Sequence, residues 1–488
     1  MEPVISRDPR TGGSRGQVAV EADAAAVDAA VRAASATLAA LAGRPQRAAL
    51  LRGAAEAVES RAAELVAVCD AETALGVPRL TGELARVAYQ FRFFADIVDD
   101  GSFLGVLIDQ ADPSAVPPRP ELRRWKVPLG PVAVFAASNF PFAFSVPGGD
   151  TASALAAGCP VVVKAHPDHP QTSELVAETI RGAAEKAGLP ADVLTLVHGY
   201  QAGTDLVRHP LITAVGFTGS IPGGRALFDI AAARPNPIPF YGELGSLNPV
   251  LVTERAAQTR ADEIAAGLVA SYTQNQGQYC TKPGLVFIPA GPAGDELART
   301  AAEAASGAAP GALLDGRMRE HFLAGFAARA AAPGVRTRVA AAAAPTDDVP
   351  QAVRAGLLEV DAADLDGVLV EECFGPVAIL IRYRDAADVE TALSRLTGNL
   401  TATLHADPAE PGAASWLSRL SRFAGRVIFG GWPTGVAVAP AMTHGGPYPA
   451  TTPPTTAVGA TAIDRWLRPV TYQTVPPELL PPELSPHP

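Results

Sequence analysis

The residue types best able to do covalent chemistry fall in a few short, glycine-flanked stretches. Cys280 sits in G-Q-Y-C-T-K-P-G, residues 277–284. A thiolate there can add to an electrophilic carbon once its proton is removed; the alternative is a small buried apolar cysteine. Glu243 lies in Y-G-E-L-G-S, between apolar and glycine neighbours, where a carboxylate can act as a base or else pair structurally. Asn139, in S-N-F-P, offers an amide N–H that can stabilise an oxyanion or shape a turn. F-T-G-S-I-P-G-G, residues 217–224, is a glycine-rich turn that can admit a phosphate to backbone N–H groups, although it is not the G-x-G-x-x-G fingerprint and a tight turn has the same composition. Lys164 ends the apolar run V-V-V-K-A, where it can bond ribose hydroxyls or snorkel to the surface.

The elements that carry these residues alternate. Residues 132–136, 161–165, 194–197 and 214–217 read as short apolar strands, with helices over 151–157, 171–186, 202–208 and 223–233. This pitch indicates βαβ units on a parallel sheet, whose ligands bind at the carboxyl ends of the strands. Asn139, Lys164 and Ser220 all fall at or just past such ends. A further strand over 238–241 leads to Glu243, and the alternation resumes with strands over 250–253, 285–288, 377–382 and 427–429. A helix over 261–272 precedes Cys280. The first hundred residues are mostly helical, including a helix over 80–98 with Leu84, Val87, Phe91 and Phe94 on one face. Residues 301–309 and 328–344 are alanine-rich and read as surface helix and loop, 443–456 as a long loop. The proline-rich end, 476–488, is expected to fray or dock on a neighbour.

Composition bounds the class. A chain of 488 residues, 48% hydrophobic, has enough apolar material for two or three domains. A net charge of −11 argues against nucleic acid or an anionic membrane as the main partner. Four cysteines lie far apart with no C-x-x-C pair, which is neither a disulfide framework nor a zinc site and fits a reducing cytoplasm. No metal site is expected. The polar N-terminus shows no secretory signal, and no apolar run reaches the length of a membrane span. Lysine occurs only at positions 126, 164, 186 and 282, so any role that needs one has few candidates.

In order along the chain, S-N-F-P, K-A-H-P, F-T-G-S, G-E-L-G-S, G-Q-Y-C and E-E-C-F-G-P resemble the aldehyde dehydrogenase superfamily, over essentially the whole length. The longer stretches A-S-N-F-P-F-A-F-S, R-P-N-P-I-P-F-Y-G-E-L-G-S-L-N-P and H-G-G-P-Y-P-A-T are similar to the α-ketoglutarate semialdehyde (2,5-dioxopentanoate) dehydrogenases and their NADP-accepting relatives. The resemblance implies an α/β fold: a Rossmann-type cofactor domain from 1–102 and 129–245, an α/β catalytic domain over 246–445, and an oligomerisation arm and tail from 103–128 and 446–488. It implies a homodimer or homotetramer. It makes Cys280 the nucleophile, Glu243 the base that activates water, and Asn139 an oxyanion donor. Lys164, His166, Gly219, Ser220, Gly224, Glu372 and Phe374 become cofactor-binding residues, for NADP or NAD. Pro167 stands where NAD-preferring members often carry a glutamate, so NADP is admissible. Ser246 and Leu247 follow Gly245 where many members read G-K, a variation shared by the similar branch.

For the substrate, Arg86 and Gln90 lie four apart on the predicted helix and share a face. The resemblance sets that helix beside the substrate tunnel, so Arg86 could pair with a distal carboxylate and Phe142 and Phe144 could form apolar walls. The alternative for Arg86 is a structural ion pair. The expected reaction is oxidation of an aldehyde to an acid, 2,5-dioxopentanoate to 2-oxoglutarate, or a broader range of aliphatic or aromatic aldehydes with NADP. Readings of another class are a cofactor-free thiol esterase or a non-catalytic relative.

Overall fold

The computed structural model describes residues 2–485. Two parallel sheets organise it. The first has five strands in the order Leu194–Val197, Val161–Lys164, Val132–Phe135, Ala214–Thr218, Phe240–Glu243, all parallel. Its central strands are unbroken apolar runs because helices cover both faces; Val132, Ala133, Val161, Val162 and Val163 are fully buried. The chain winds outward from Val132–Phe135 to one side and then returns to its other side at Ala214–Thr218. Strand order reverses there, opening a crevice at the carboxyl ends. Lys164, Gly219 and Glu243 stand along that edge because each ends or follows one of these strands.

The second sheet has seven strands, in the order Arg336–Val339, Gly356–Asp361, Val377–Tyr383, Leu285–Pro289, Val250–Val252, Asn399–His405, Ala424–Phe429. All pair in parallel except Arg336–Val339, which runs antiparallel on the edge. Asn399–His405 was not expected from the sequence. Its alternating threonines read as polar, yet Thr401 and Thr403 are 1% and 0% exposed. Arg336–Val339 likewise falls inside the stretch expected to be helix and loop.

The helix expected over 80–98 runs Val77–Asp100 and packs Leu80, Leu84, Val87, Phe91 and Phe94 into the core beside the first sheet. An antiparallel hairpin, Pro3–Arg7 with Ser14–Val20, precedes the helices and was also unexpected. A third sheet joins Leu107–Asp109, Leu122–Pro128 and Leu467–Gln473, bringing the chain end onto a segment more than three hundred residues earlier. The proline-rich end docks on the same sheet: Leu484 is fully buried and its carbonyl accepts from Arg123 Nη1. Residues 486–488 of that expected tail lie outside the described residues. Among the described residues no helix is long and apolar enough to cross a membrane.

Candidate active site

The loop that carries Cys280 is held in an unusual conformation. Helix Glu254–Thr273 ends, and Asn275, Gln276 and Gly277 all take left-handed backbone angles. At Gly277 only glycine fits, since a Cβ would fall 2.3 Å from the Gly375 carbonyl oxygen. Asn248 secures the loop from the other side: its Nδ2 donates to the carbonyls of Cys280 (2.8 Å) and Lys282 (2.9 Å). Asn248 is itself left-handed, and its N–H donates to Asn399 Oδ1. Ser246 Oγ joins the same network through Asn248 Oδ1 and Asn399 Oδ1 and accepts from Leu400 N. The serine that departs from the commoner family pattern therefore braces the loop. Lys282, almost fully buried, donates to the Cys373 and Val377 carbonyls and ties the loop to the segment bearing Glu372.

Three side chains converge at the nucleophile. Cys280 Sγ lies 3.6 Å from His444 Nε2, and the same nitrogen lies 3.0 Å from Glu243 Oε1. Glu243 and His444 are 3% and 1% exposed. Although close to the imidazole, neither Glu243 oxygen receives an aligned hydrogen bond among the described residues. Burial, then the negative charge of Glu243, push the Cys280 thiol well above its ordinary range, with Arg86 opposing. The resting group is thus a thiol, and its proton must be taken when substrate arrives. Asn139, 8% exposed, donates from Nδ2 to the Gln278 carbonyl at 3.1 Å, two residues before the nucleophile. Its own carbonyl accepts from Arg79 Nη2 at 2.6 Å, and the Arg79 guanidinium stacks on Phe140 and Tyr279.

His444 was not singled out in the sequence. It lies in the long Gly/Pro/Thr loop, which is pinned back onto strand Phe240–Glu243 as Leu244 N donates to Ala450 O and Thr452 N to Gly242 O, while His444 N donates within the loop to Thr456 Oγ1. A histidine within a glycine-rich stretch, in a chain with eight histidines, was the available signal.

Beyond Cys280, Arg86 stacks 5.4 Å from the Phe144 ring centroid, and Phe144 in turn packs 5.6 Å from the His444 ring. Neither Nε nor Nη2 of Arg86 has a hydrogen-bond partner among the described residues. Burial pushes its pKa down, opposed by the charges of Glu83, Cys280 and Glu243. Gln90 is buried on the same helix with Oε1 unpartnered. Phe142 does not form a wall. It is fully enclosed in the core, and its N–H and that of Ala143 donate to Glu83 Oε1 at 2.8 Å, which leaves Phe144 as the aromatic beside Arg86.

Comparison with known proteins settles the family. The model of the aldehyde dehydrogenase family matches residues 2–446. The chain belongs to the aldehyde dehydrogenase family. It is 49% identical over 444 residues to α-ketoglutaric semialdehyde dehydrogenase 2 of Azospirillum brasilense, covering 89% of this chain and 84% of that one. It is 43% identical over 442 residues, with the same coverages, to α-ketoglutaric semialdehyde dehydrogenase of Acinetobacter baylyi. Among solved structures, a mutant of aldehyde dehydrogenase C from Pseudomonas syringae, bound to NAD+ and octanal, superposes with TM-score 0.83 at 22% identity, over 96% of this chain and 93% of that one, which speaks to the fold. An Escherichia coli NADP-dependent enzyme superposes with TM-score 0.81 at 25% identity, over 96% and 94%.

The aldehyde dehydrogenase reaction needs a nicotinamide cofactor, and the residues present fit one. A cavity of about 830 Å³ runs from Asn139, Glu243 and Cys280 past the 218–222 turn to His166, Asp168 and Arg317. Glu372 and Phe374 line it. The Glu372 carboxylate lies so close over Gly245 that a Cβ there would sit 2.5 Å from Oε2. Burial lifts its pKa to about 7, with Lys282 opposing. Lys164 packs its stem by Gly203, where a Cβ would sit 3.6 Å from Lys164 Cγ, and burial lowers its amine to about 8. The glycine-rich turn behaves differently from expectation. Gly219 N–H is spent on the Glu243 carbonyl and Gly224 N–H on that of Ser220. A Cβ on Gly224 would collide with Leu244 Cδ2 at 2.1 Å, so this glycine permits close packing of helix Ile221–Ala232 and does not bind phosphate. Ser220 caps that helix, its Oγ accepting from Gly223 N. Ser220 and Ile221, at the start of that helix, line the cavity, and a helix N-terminus favours an anion.

Proposed function

We propose that this aldehyde dehydrogenase oxidises 2,5-dioxopentanoate to 2-oxoglutarate, with NADP or NAD as acceptor. The observation that carries the substrate reading is Arg86: a guanidinium with two buried N–H donors that are unpaired among the described residues, stacked on Phe144 next to the nucleophile. A buried donor without a partner costs about 1–3 kcal/mol, more for a charged group, so the arrangement is stable in use only if a ligand supplies the acceptor. A distal carboxylate does so through two parallel hydrogen bonds. The relatives at 49% and 43% identity are named for an aldehyde of this kind.

The residues then divide the work. His444 Nε2 takes the Cys280 proton across 3.6 Å, and Glu243, 3.0 Å from the same nitrogen, stabilises the imidazolium. The thiolate adds to the aldehyde carbon. Asn139 Nδ2 and the Cys280 backbone N–H hold the oxyanion; loss of one such donor typically costs about 10²–10³ in rate. A bound nicotinamide would supply the hydride acceptor, and Cys280 would hold the oxidised carbon as a thioester. Glu243 then draws a proton from water, which attacks the thioester and frees the acid. Lys164 and His166 would hold the adenosine ribose, Ser220 and Ile221 N–H the pyrophosphate, and Glu372 and Phe374 the nicotinamide riboside. Pro167 presents no carboxylate to a 2′-phosphate, which admits NADP. The exposed apolar strand segment Val106, Leu107 and Ile108 supports a homo-oligomer built through the small third sheet.

The test is steady-state kinetics on acidic, aliphatic and aromatic aldehydes of matched length with both cofactors. The reading requires the highest kcat/KM for 2,5-dioxopentanoate. An uncharged aldehyde preferred over it would leave the broader aldehyde dehydrogenase reading.

A further inference from the structure

The three groups at the reaction centre also form the donor set of a metal site. Cys280 Sγ, His444 Nε2 and a Glu243 carboxylate oxygen all lie within 4.8 Å of one another. Zinc takes sulfur at about 2.3 Å, imidazole nitrogen at about 2.0–2.1 Å and carboxylate oxygen at about 2.0–2.2 Å. At tetrahedral angles those bonds set sulfur and nitrogen about 3.6 Å apart and nitrogen and oxygen about 3.4 Å apart. The observed sulfur–nitrogen and nitrogen–oxygen separations, 3.6 Å and 3.0 Å, are within a few tenths of an ångström of those values, and sulfur and carboxylate oxygen lie within 4.8 Å of each other. A second observation points the same way. Glu243 is 3% exposed, yet neither carboxylate oxygen has an aligned donor among the described residues. A buried carboxylate in that state is short of a cationic or hydrogen-bonding partner.

We propose that Cys280, His444 and Glu243 bind a zinc ion that reversibly inhibits the enzyme. Binding replaces the thiol proton, which leaves to solvent, with a zinc–sulfur bond; neutral imidazole and the carboxylate complete three ligands, and a water takes the fourth position. One thiolate and one carboxylate neutralise the ion's two charges. The positive charges of Arg86 and Arg426 act on the Cys280 sulfur and oppose a cation there, whereas the charge of Glu372 favours one. The sulfur lone pair, the proton acceptor and the water-activating base are captured together, so inhibition is complete when the site fills and ends when a chelator removes the ion. The proposal takes the three catalytic groups from the function above but needs neither its substrate nor its cofactor.

The test uses the full chain, freed of metal and without aldehyde or dinucleotide. Iodoacetamide alkylation of Cys280, followed by mass spectrometry of its peptide, should slow at least about tenfold with one equivalent of zinc, because the zinc-bound sulfur is no longer a free thiolate. A chelator should restore the rate. Cobalt(II) should give a thiolate-to-metal charge-transfer band that is absent in Cys280→Ser. His444→Phe and Glu243→Gln should each weaken zinc binding at least about tenfold, as loss of a ligand does. Protection unchanged in both variants, protection of Cys373 in the same cavity instead of Cys280, or a cobalt spectrum without the thiolate band would each overturn the site. These readouts do not depend on turnover, so an incorrect substrate assignment leaves them intact.

Discussion

Replacing Arg86 with methionine removes a charge but keeps most of an apolar stem. In the free enzyme the guanidinium has two buried N–H groups without partners, so their removal relieves a cost rather than breaking a pair. The melting temperature of Arg86→Met should therefore stay level or rise. With the acidic substrate the sign reverses. Truncating one partner of a hydrogen-bonded charge pair costs roughly 2–5 kcal/mol, or about thirtyfold to several thousandfold in binding. Arg86 is only partly buried and also stacks on Phe144, and solvent screening argues for the lower end. A rise in KM for 2,5-dioxopentanoate of at least about tenfold is expected, with little change for an uncharged aldehyde of the same length. The assay is initial-rate NAD(P)H formation with both aldehydes on parent and variant, alongside thermal melts. Equal losses for both substrates with a lowered melting temperature would make Arg86 structural. No loss for either would mean that another cation, such as Arg79 with its own unpartnered Nη1, holds the anion.

Four further outcomes follow from the same geometry. Cys280→Ala should abolish dehydrogenase and esterase turnover together while dinucleotide binding, followed by fluorescence titration, persists; residual oxidation within about tenfold of the parent would remove Cys280 from the mechanism. Glu243→Gln should slow deacylation more than acylation, so rapid mixing should show a burst of NAD(P)H before slow turnover, and a slow first turnover would place Glu243 in the acylation half. Burial, then the negative charge of Asp315, lift the Asp168 carboxyl to about 7, so it is mostly neutral at pH 6 and ionised at pH 8. NADP affinity relative to NAD should fall across that interval in the parent more than in Asp168→Asn, and parallel curves would show that Asp168 is remote from the 2′-phosphate. His405 is 1% exposed, neither ring nitrogen has a partner among the described residues, and burial, then the charge of Arg260, lower its pKa to about 4. The unfolded state takes up the proton first, so its stability contribution is full above about pH 6.5 and is lost as pH falls towards 4, to the extent of about 3 kcal/mol. Urea midpoints from pH 7.5 to 4.5 should fall more steeply for the parent than for His405→Leu, and equal slopes would refute this.

Local sequence made much of this molecule legible because its signals are local. Unbroken valine runs specify strands covered on both faces, so Val132–Phe135 and Val161–Lys164 could be read directly, and with them the edge where Asn139 and Lys164 stand. Cys280 and Glu243 announced themselves through glycine-flanked motifs in an order that identified the family. What the chain alone did not reveal depends on partners distant in sequence. His444 meets Cys280 across 164 positions and acquires its place only because its loop is pinned to strand Phe240–Glu243. Asn399–His405 looks polar until Asn248, 153 positions earlier, accepts hydrogen bonds from the Thr401 hydroxyl and N–H, which satisfies that buried threonine. Gly224 carried the composition of a phosphate turn, but the tertiary structure decided its use: Leu244 and Phe217 crowd the space a side chain would need, and its N–H is already bonded. Residue type and short-range spacing fix which backbone conformations and which chemistries are available. Which donor faces which acceptor is settled only when the sheets close and burial makes every unpaired polar atom costly.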